Sequence, residues 1–251
     1  MLATVTYLQQ SKRVWAIAKK DIRIYYSKGP VVIFGIMFPV FLFLSFMIGR
    51  ELTLSFMMPG LVGMVLFFTS TAISPAVTPW ETQARTLERL MSCPVTIPTI
   101  ILGDILASFI FGVLISVVPI VIGLALGMTI SYPLLFILGI VLAAFCFSSL
   151  GLIFSATPTS LPSNVMMLSS MVKFPIIFIS GVFIPLDRLP IWGQAISYIS
   201  PLTYFTDIAR HLIQNAGYLP VAVDFLCLLA FTTLFLVIAT KLHQRTMPRR
   251  I

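Results

Sequence analysis

The stretch Leu134–Ala156, LLFILGIVLAAFCFSSLGLIFSA, runs for 23 residues without a charged side chain. As a helix rising about 1.5 Å per residue it measures roughly 34 Å, enough to cross the roughly 30 Å of hydrocarbon in a bilayer. Stretches of the same character lie on either side of it: Val31–Gly49, Phe56–Thr78, Thr99–Met128, Val165–Ile184 and Val221–Thr240. The pattern predicts an all-α membrane protein of six transmembrane helices in a single domain, 1–251. Residues 1–29 form a cytoplasmic amphipathic helix, 30–240 the six-span bundle and 241–251 a cytoplasmic tail.

Composition supports the same class. Of the 251 residues 59% are apolar and 10% charged, with a mean hydropathy of +1.05, whereas about a quarter of a soluble domain is charged. The net charge of +8 gathers at the two ends, which makes it a signal of topology and excludes a nucleic-acid footprint. Lys12, Arg13, Lys19, Lys20, Arg23 and Lys28 precede the first apolar stretch, and Lys241, Arg245, Arg249 and Arg250 follow the last. With Arg85 and Arg89 in the loop after the second stretch, twelve cations share one side, against Arg50, Arg188 and Arg210 on the other. Both termini are therefore expected in the cytoplasm, in a cell (inner or plasma) membrane.

The first residues are polar and basic and lack a signal-peptide core, so the first span is expected to be retained. There Val14, Trp15, Ile17, Ala18, Ile22, Ile24, Tyr25 and Tyr26 are mixed with cations, as in a helix lying at the headgroup level or a plain basic topogenic tail. Cys93, Cys146 and Cys227 have neither paired nor CxxC spacing, and His211 and His243 belong to no ligand motif. No disulfide framework and no metal are expected. No GxxxxGK[ST] is present, so this chain is expected to bind no ATP and to be no enzyme by itself.

Three polar features carry the functional reading. The cytoplasmic loop Pro79–Pro98, PWETQARTLERLMSCPVTIP, sets Glu81 and Arg85 at i,i+4 and Arg85 and Glu88 at i,i+3, beside an apolar stripe of Thr86, Leu87, Leu90 and Met91. It predicts an amphipathic helix of about three turns that presses into a groove on a soluble partner or rests on lipid. Lys173 lies midway along the fifth stretch, where a charge costs about 3 kcal/mol unless it faces the bundle interior or water; a place in a translocation path and a structural pairing both fit. Asp104 and Asp224 lie near span ends, where wet structural roles are expected. Between the fifth and sixth stretches, Pro185–Pro220 is broken by Pro190 and Pro201. Its helical spacing predicts two short helices joined at Ser200–Pro201 and dipping into the outer leaflet.

Two of these segments together resemble a known family. Glu81–Val95, ETQARTLERLMSCPV, is similar to the E-x-x-x-G-T-L-E-R-L…P-V stretch of permease subunits of ABC-2 type ATP-binding-cassette exporters. Ser180–Arg210, SGVFIPLDRLPIWGQAISYISPLTYFTDIAR, is similar to their S-G-x-F-x-P-L…L-P…P-L-T-Y…D-x-x-R stretch. The resemblance implies the type V exporter fold and a coupling helix made of Glu81, Arg85, Leu87, Glu88, Arg89, Leu90 and Met91. It further implies an outer re-entrant helix pair with Asp187, Arg188, Pro201, Tyr204, Asp207 and Arg210. A separate ATP-binding-cassette subunit holding ATP and Mg2+ would drive two permease copies, a homodimer before a heterodimer, that export a drug, lipid or glycan-type amphiphile. Lys173, Phe67, Phe68, Phe174 and Phe178 are the residues expected to line the path. The family's usual Gly before Thr-Leu-Glu-Arg is Arg85 here, and Asp104 stands where many relatives carry Lys. The alternative class is a secondary transporter or channel not powered by ATP.

Overall fold

The computed structural model describes residues 7–48, 54–159, 161–184 and 186–250; Arg50 and Pro185 lie outside them. Among the described residues the fold is helical throughout. The N-terminal helix α1 (Tyr7–Asp21) runs into one π-helical turn, Ile22–Tyr26, and is followed by α2 (Gly29–Met47) and α3 (Leu54–Ser70). Two short helices, α4 (Val77–Gln83) and α5 (Thr86–Ser92), lead into the long α6 (Ile97–Ala125), α7 (Pro133–Ser155) and α8 (Pro162–Ile179). Next come α9 (Ile191–Ser197), α10 (Pro201–Gln214) and α11 (Val221–Thr246). Helices α6, α7, α8 and α10 each open with a proline in the first turn, where its fixed φ suits the helix and its missing N–H costs nothing.

Among the described residues four helices, α6, α7, α8 and α11, are long and apolar enough to cross a membrane. The second predicted span is shorter than expected: its helix stops at Ser70 instead of Thr78, because the following Thr71–Ala76 carries hydroxyls and Pro75 and folds as turns. The fifth also stops early, at Ile179, since Gly181 turns to φ 76°. The described apolar stretches of α2 and α3 are Gly35–Ser45 and Phe56–Ser70.

Helix α3 is the axis of the bundle, with Val62, Met64, Val65, Leu66 and Phe67 fully buried. Small residues let its neighbours approach closely, as they do between helices in lipid. A Cβ on Gly60 would lie 2.6 Å from the Val182 carbonyl, and one on Gly63 would lie 3.0 Å from Thr206. The non-helical turn after α3 is buried in the same way: Ser70 sits against Gly112 of α6 and Ser74 against Gly151 of α7. Irregular backbone at such depth is tolerated only when protein surrounds it. Outward-facing Phe41, Leu114, Val121, Leu134 and Leu226 leave an apolar perimeter.

The two ends of the family-like segment Ser180–Arg210 fold back on each other. Thr206 Oγ1 on α10 donates to the Ser180 carbonyl at 2.9 Å, and Arg210 Nη2 donates to the Gly181 carbonyl at 2.5 Å. Arg210 also lies over the Phe56 ring at 5.7 Å. The break between α9 and α10 falls at Ser200–Pro201, and Thr203 Oγ1 and Tyr204 Oη donate back to the carbonyls of Ser197 and Tyr198 across it.

Candidate coupling face and groove

The loop expected to form one three-turn helix instead forms α4 and α5, separated at Arg85. Arg85 adopts φ 55°, ψ 26°, the left-handed conformation that glycine enters without strain. That backbone geometry accounts for a glycine at this position in the family pattern.

Glu81 does not pair with Arg85. It is buried on α4 and accepts from Lys20 Nζ of α1, which also lies 3.0 Å from Asp21 Oδ1. Arg85 and Glu88 form no ion pair among the described residues. Asp104, at the base of α6, completes the group: it is buried rather than wet, with no donor on its Oδ1. Three carboxyls thus share one ammonium. Burial drives Asp21 and Glu81 above the ordinary carboxyl range, with Lys20 only partly offsetting it. Burial also acts to lower Lys20, but the carboxylates of Asp21, Glu81 and Asp104 outweigh it and hold the ammonium above its usual range. The Tyr25 and Trp80 rings stack at 5.3 Å alongside, and Arg13 Nη1 donates to the Pro94 carbonyl. Charge and aromatic contacts therefore weld α1, α4 and α6 together.

Helix α5 is held by its apolar side. Leu87 is buried against Ile17, Ile100 and Met247, with Leu90 and Met91 half-buried around them. Leu87 therefore anchors α5 to its own chain, and the charged side chains presented outward are Arg85, just before α5, and Glu88 and Arg89 on it. From the C-terminal end, Arg250 Nη2 donates to the Ser155 carbonyl at 3.0 Å and to that of Thr157, placing a cation at the C-terminus of α7 where carbonyls are unpaired.

Lys173 is buried on α8 and donates to the Thr71 carbonyl at 3.0 Å, in the turn that follows α3. It lines an open groove of about 420 Å³ together with Phe38, Phe68, Phe174, Ser170 and Trp80. The Phe38 ring meets Phe68 at 5.1 Å and Phe174 at 6.2 Å, each edge to face. Of the four aromatics expected on a path, Phe68 and Phe174 share this groove. Phe67 does not: one residue on, a helix turns about 100°, and its ring packs at 5.1 Å on Phe147 in the core. Phe178 stands one turn beyond Phe174, outside the groove and against Phe183. Phe38 and Trp80 were not singled out by sequence, because nothing in an aromatic's own neighbourhood tells a groove wall from packing.

At the opposite end, Asp187 and Arg188 are exposed in a short 3-10 turn. They line a cavity of about 310 Å³ with Asp207 and Arg210. Asp207 accepts from the main-chain N–H groups of Tyr218 and Leu219 at 2.9 and 2.7 Å, fixing the turn between α10 and α11. Asp224 is fully buried, not wet.

The family model described as ABC-2 type transporter matches residues 12–213, from α1 through nearly all of α10. The chain is also similar to proteins named inner membrane transport permease YhhJ in Escherichia coli (strain K12) and Shigella flexneri, at 30% identity over 113 residues in each case. The similar stretch is 45% of this chain and 30% of the length of those relatives, so the alignment takes in under a third of them.

Proposed function

This chain belongs to the ABC-2 type transporter family, and on that premise we propose that it is the permease subunit of an ATP-driven exporter. Two permease copies, a homodimer in the simplest assembly, work with separate ATP-binding-cassette subunits that hold ATP and Mg2+. The membrane is the inner or plasma membrane, crossed six times, with α2 and α3 as the first two crossings and both termini cytoplasmic.

The observation that carries this reading is the construction of α5. Leu87 buries one side of it in its own chain, while Arg85, Glu88 and Arg89 stand free at the end of the molecule that holds the N- and C-terminal basic segments. A short helix braced from behind and charged in front suits docking on a soluble subunit. The welded α1, α4 and α6 would carry a push on α5 into the bundle, and the Thr71–Ala76 turn, held by Lys173, lies in the next segment along.

The groove of Phe38, Phe68, Phe174 and Lys173 is the proposed path wall. Aromatic edges with one ammonium suit an amphiphile with an apolar body and an anionic or polar head. Met167 and Met171 leave α8 among the more exposed of the helices, which is the side a second permease copy would cover.

The test is co-purification and ATP hydrolysis with a candidate ATP-binding-cassette subunit. Glu88→Lys with Arg89→Glu is expected to lose association and substrate-stimulated hydrolysis with an unchanged melting temperature. Association that survives these changes would remove α5 as the docking element.

A further inference from the structure

Three side chains with metal-binding atoms meet where α10 returns to α11. Asp207 and His211 lie one helical turn apart on α10, and Asp224 lies in the first turn of α11. One ligand-capable atom from each lies within 4.8 Å of the others. Asp207 and Asp224 are buried, His211 half-buried.

Asp224 is the informative member. It is completely buried, yet no donor reaches either of its carboxylate oxygens. A buried carboxylate facing a second carboxylate requires a positive partner or a shared proton. The other two residues are held in place by the turn between α10 and α11. The Asp207 carboxylate is fixed by the N–H groups of Tyr218 and Leu219, and His211 Nε2 lies 2.5 Å from the Leu219 carbonyl. An imidazole whose Nε2 proton is held by a carbonyl keeps the lone pair on its other nitrogen, the outer arrangement usual around a bound ion.

The surrounding backbone is built to admit the imidazole. A Cβ on Gly217 would fall 1.7 Å from the His211 ring, so glycine alone leaves room there. Asn215, at φ 53°, ends α10 and folds the chain back over the histidine. Of the three, Asp207 also lines the 310 Å³ cavity, beside Asp187, Arg188 and Arg210.

We propose that Asp207, His211 and Asp224 bind a divalent transition metal of the zinc class, which ties the C-terminal part of α10 to the start of α11. One imidazole nitrogen with two carboxylates suits zinc and its neighbours, whereas calcium and magnesium take all-oxygen sets. Bonds of about 2.1 Å set tetrahedral ligands about 3.4 Å apart, so binding would draw the three side chains together. Three protein ligands leave a coordination position for water. The site departs from the expectation of no metal, and its sequence signal is D-x-x-x-H, Asp207 to His211, which puts both side chains on one face of a helix.

The test uses the full chain purified in detergent through a tag free of histidine, stripped with chelator and dialysed against Zn2+ or Co2+. Expected are one Zn2+ per chain by elemental analysis, a raised melting temperature, and the intense visible bands of four- or five-coordinate Co2+. Asp224→Asn and His211→Gln should each weaken binding more than tenfold, while Cys93→Ser leaves it unchanged. Substoichiometric Zn2+, binding that survives both ligand changes, or a preference for Ca2+ or Mg2+ would overturn the proposal. If either variant does not fold, the Co2+ spectrum of the unaltered chain decides, a weak octahedral spectrum counting against the site. The assay contains no ATP-binding subunit, so its result is separate from that of the docking test.

Discussion

Lys173 Nζ donates a hydrogen bond to the Thr71 carbonyl at 3.0 Å, joining the middle of α8 to the turn that interrupts the chain after α3. The contact closes 102 residues of sequence and places the ammonium where the carbonyls at the end of a helix lack partners. Replacing it with Met leaves a buried carbonyl unpaired, at about 1–3 kcal/mol, while the cost of burying the charge disappears. Lys173→Met is therefore expected to fold with a modestly lowered melting temperature and to lose export of anionic amphiphiles before neutral ones. Loss of all substrates in equal measure would assign the lysine to structure alone.

Arg85 occupies a left-handed conformation with an exposed side chain. Non-glycine residues there carry a penalty of about 1 kcal/mol, part of which glycine returns through the entropy of the unfolded chain. Arg85→Gly should raise stability by about 0.5 kcal/mol, read as a small increase in melting temperature. A decrease would show that the guanidinium makes a contact of its own.

The three-carboxyl cluster around Lys20 makes a prediction with a sign. Asp21 and Glu81 have folded-state pKa values raised above their unfolded ones, so they contribute stability at low pH and lose it as pH rises through the raised values. Lys20 is also raised, so its contribution persists through neutral pH and disappears only above about 10.5. Amide exchange in α4, corrected for intrinsic rates, should slow as pH falls from neutral toward the ordinary carboxyl range. Glu81→Gln should flatten that response. Lys20→Met, which strands the acids, should cost about 2–3 kcal/mol, and pairing it with Glu81→Gln should recover part of the loss; an additive double variant would deny the coupling.

Gly60 on α3 has the Val182 carbonyl 2.6 Å from where a Cβ would stand. The obstacle is backbone, so Gly60→Ala must displace the Ser180–Phe183 segment from α3, at about 1–3 kcal/mol. Thermal unfolding should show that loss, whereas Ala in place of the open Gly127, whose surroundings are empty but whose φ is +94°, should cost only local backbone strain of about 1 kcal/mol.

How far the sequence could be read depended on whether a feature is local. The runs that became α6, α7 and α11 were legible because hydropathy over some twenty residues needs no neighbours, and the Ser200–Pro201 break because proline enforces it wherever it falls. The early end of α3 was hidden: the hydroxyls and Pro75 of Thr71–Ala76 permit a turn without requiring one, and the room that Gly112 and Gly151 of other helices leave for Ser70 and Ser74 is not visible in the local sequence. The partner of Glu81 was misread for the same reason. Helical spacing pointed to Arg85, and tertiary packing supplied Lys20 from 61 residues away. The meeting of Asp207 and His211 with Asp224 likewise depends on how α10 returns to α11, which the sequence alone does not specify.

Cys93, exposed at the end of α5, gives the most direct test of the central claim that this helix receives an ATPase on the cytoplasmic face. Membrane-impermeant maleimide would be applied to inside-out and right-side-out vesicles with and without the ATP-binding-cassette subunit, in a Cys227→Ser background that leaves Cys146 buried. The account predicts labelling in inside-out vesicles alone and severalfold protection when the ATPase is present. Labelling from the outside, or equal labelling with and without bound ATPase, would contradict it.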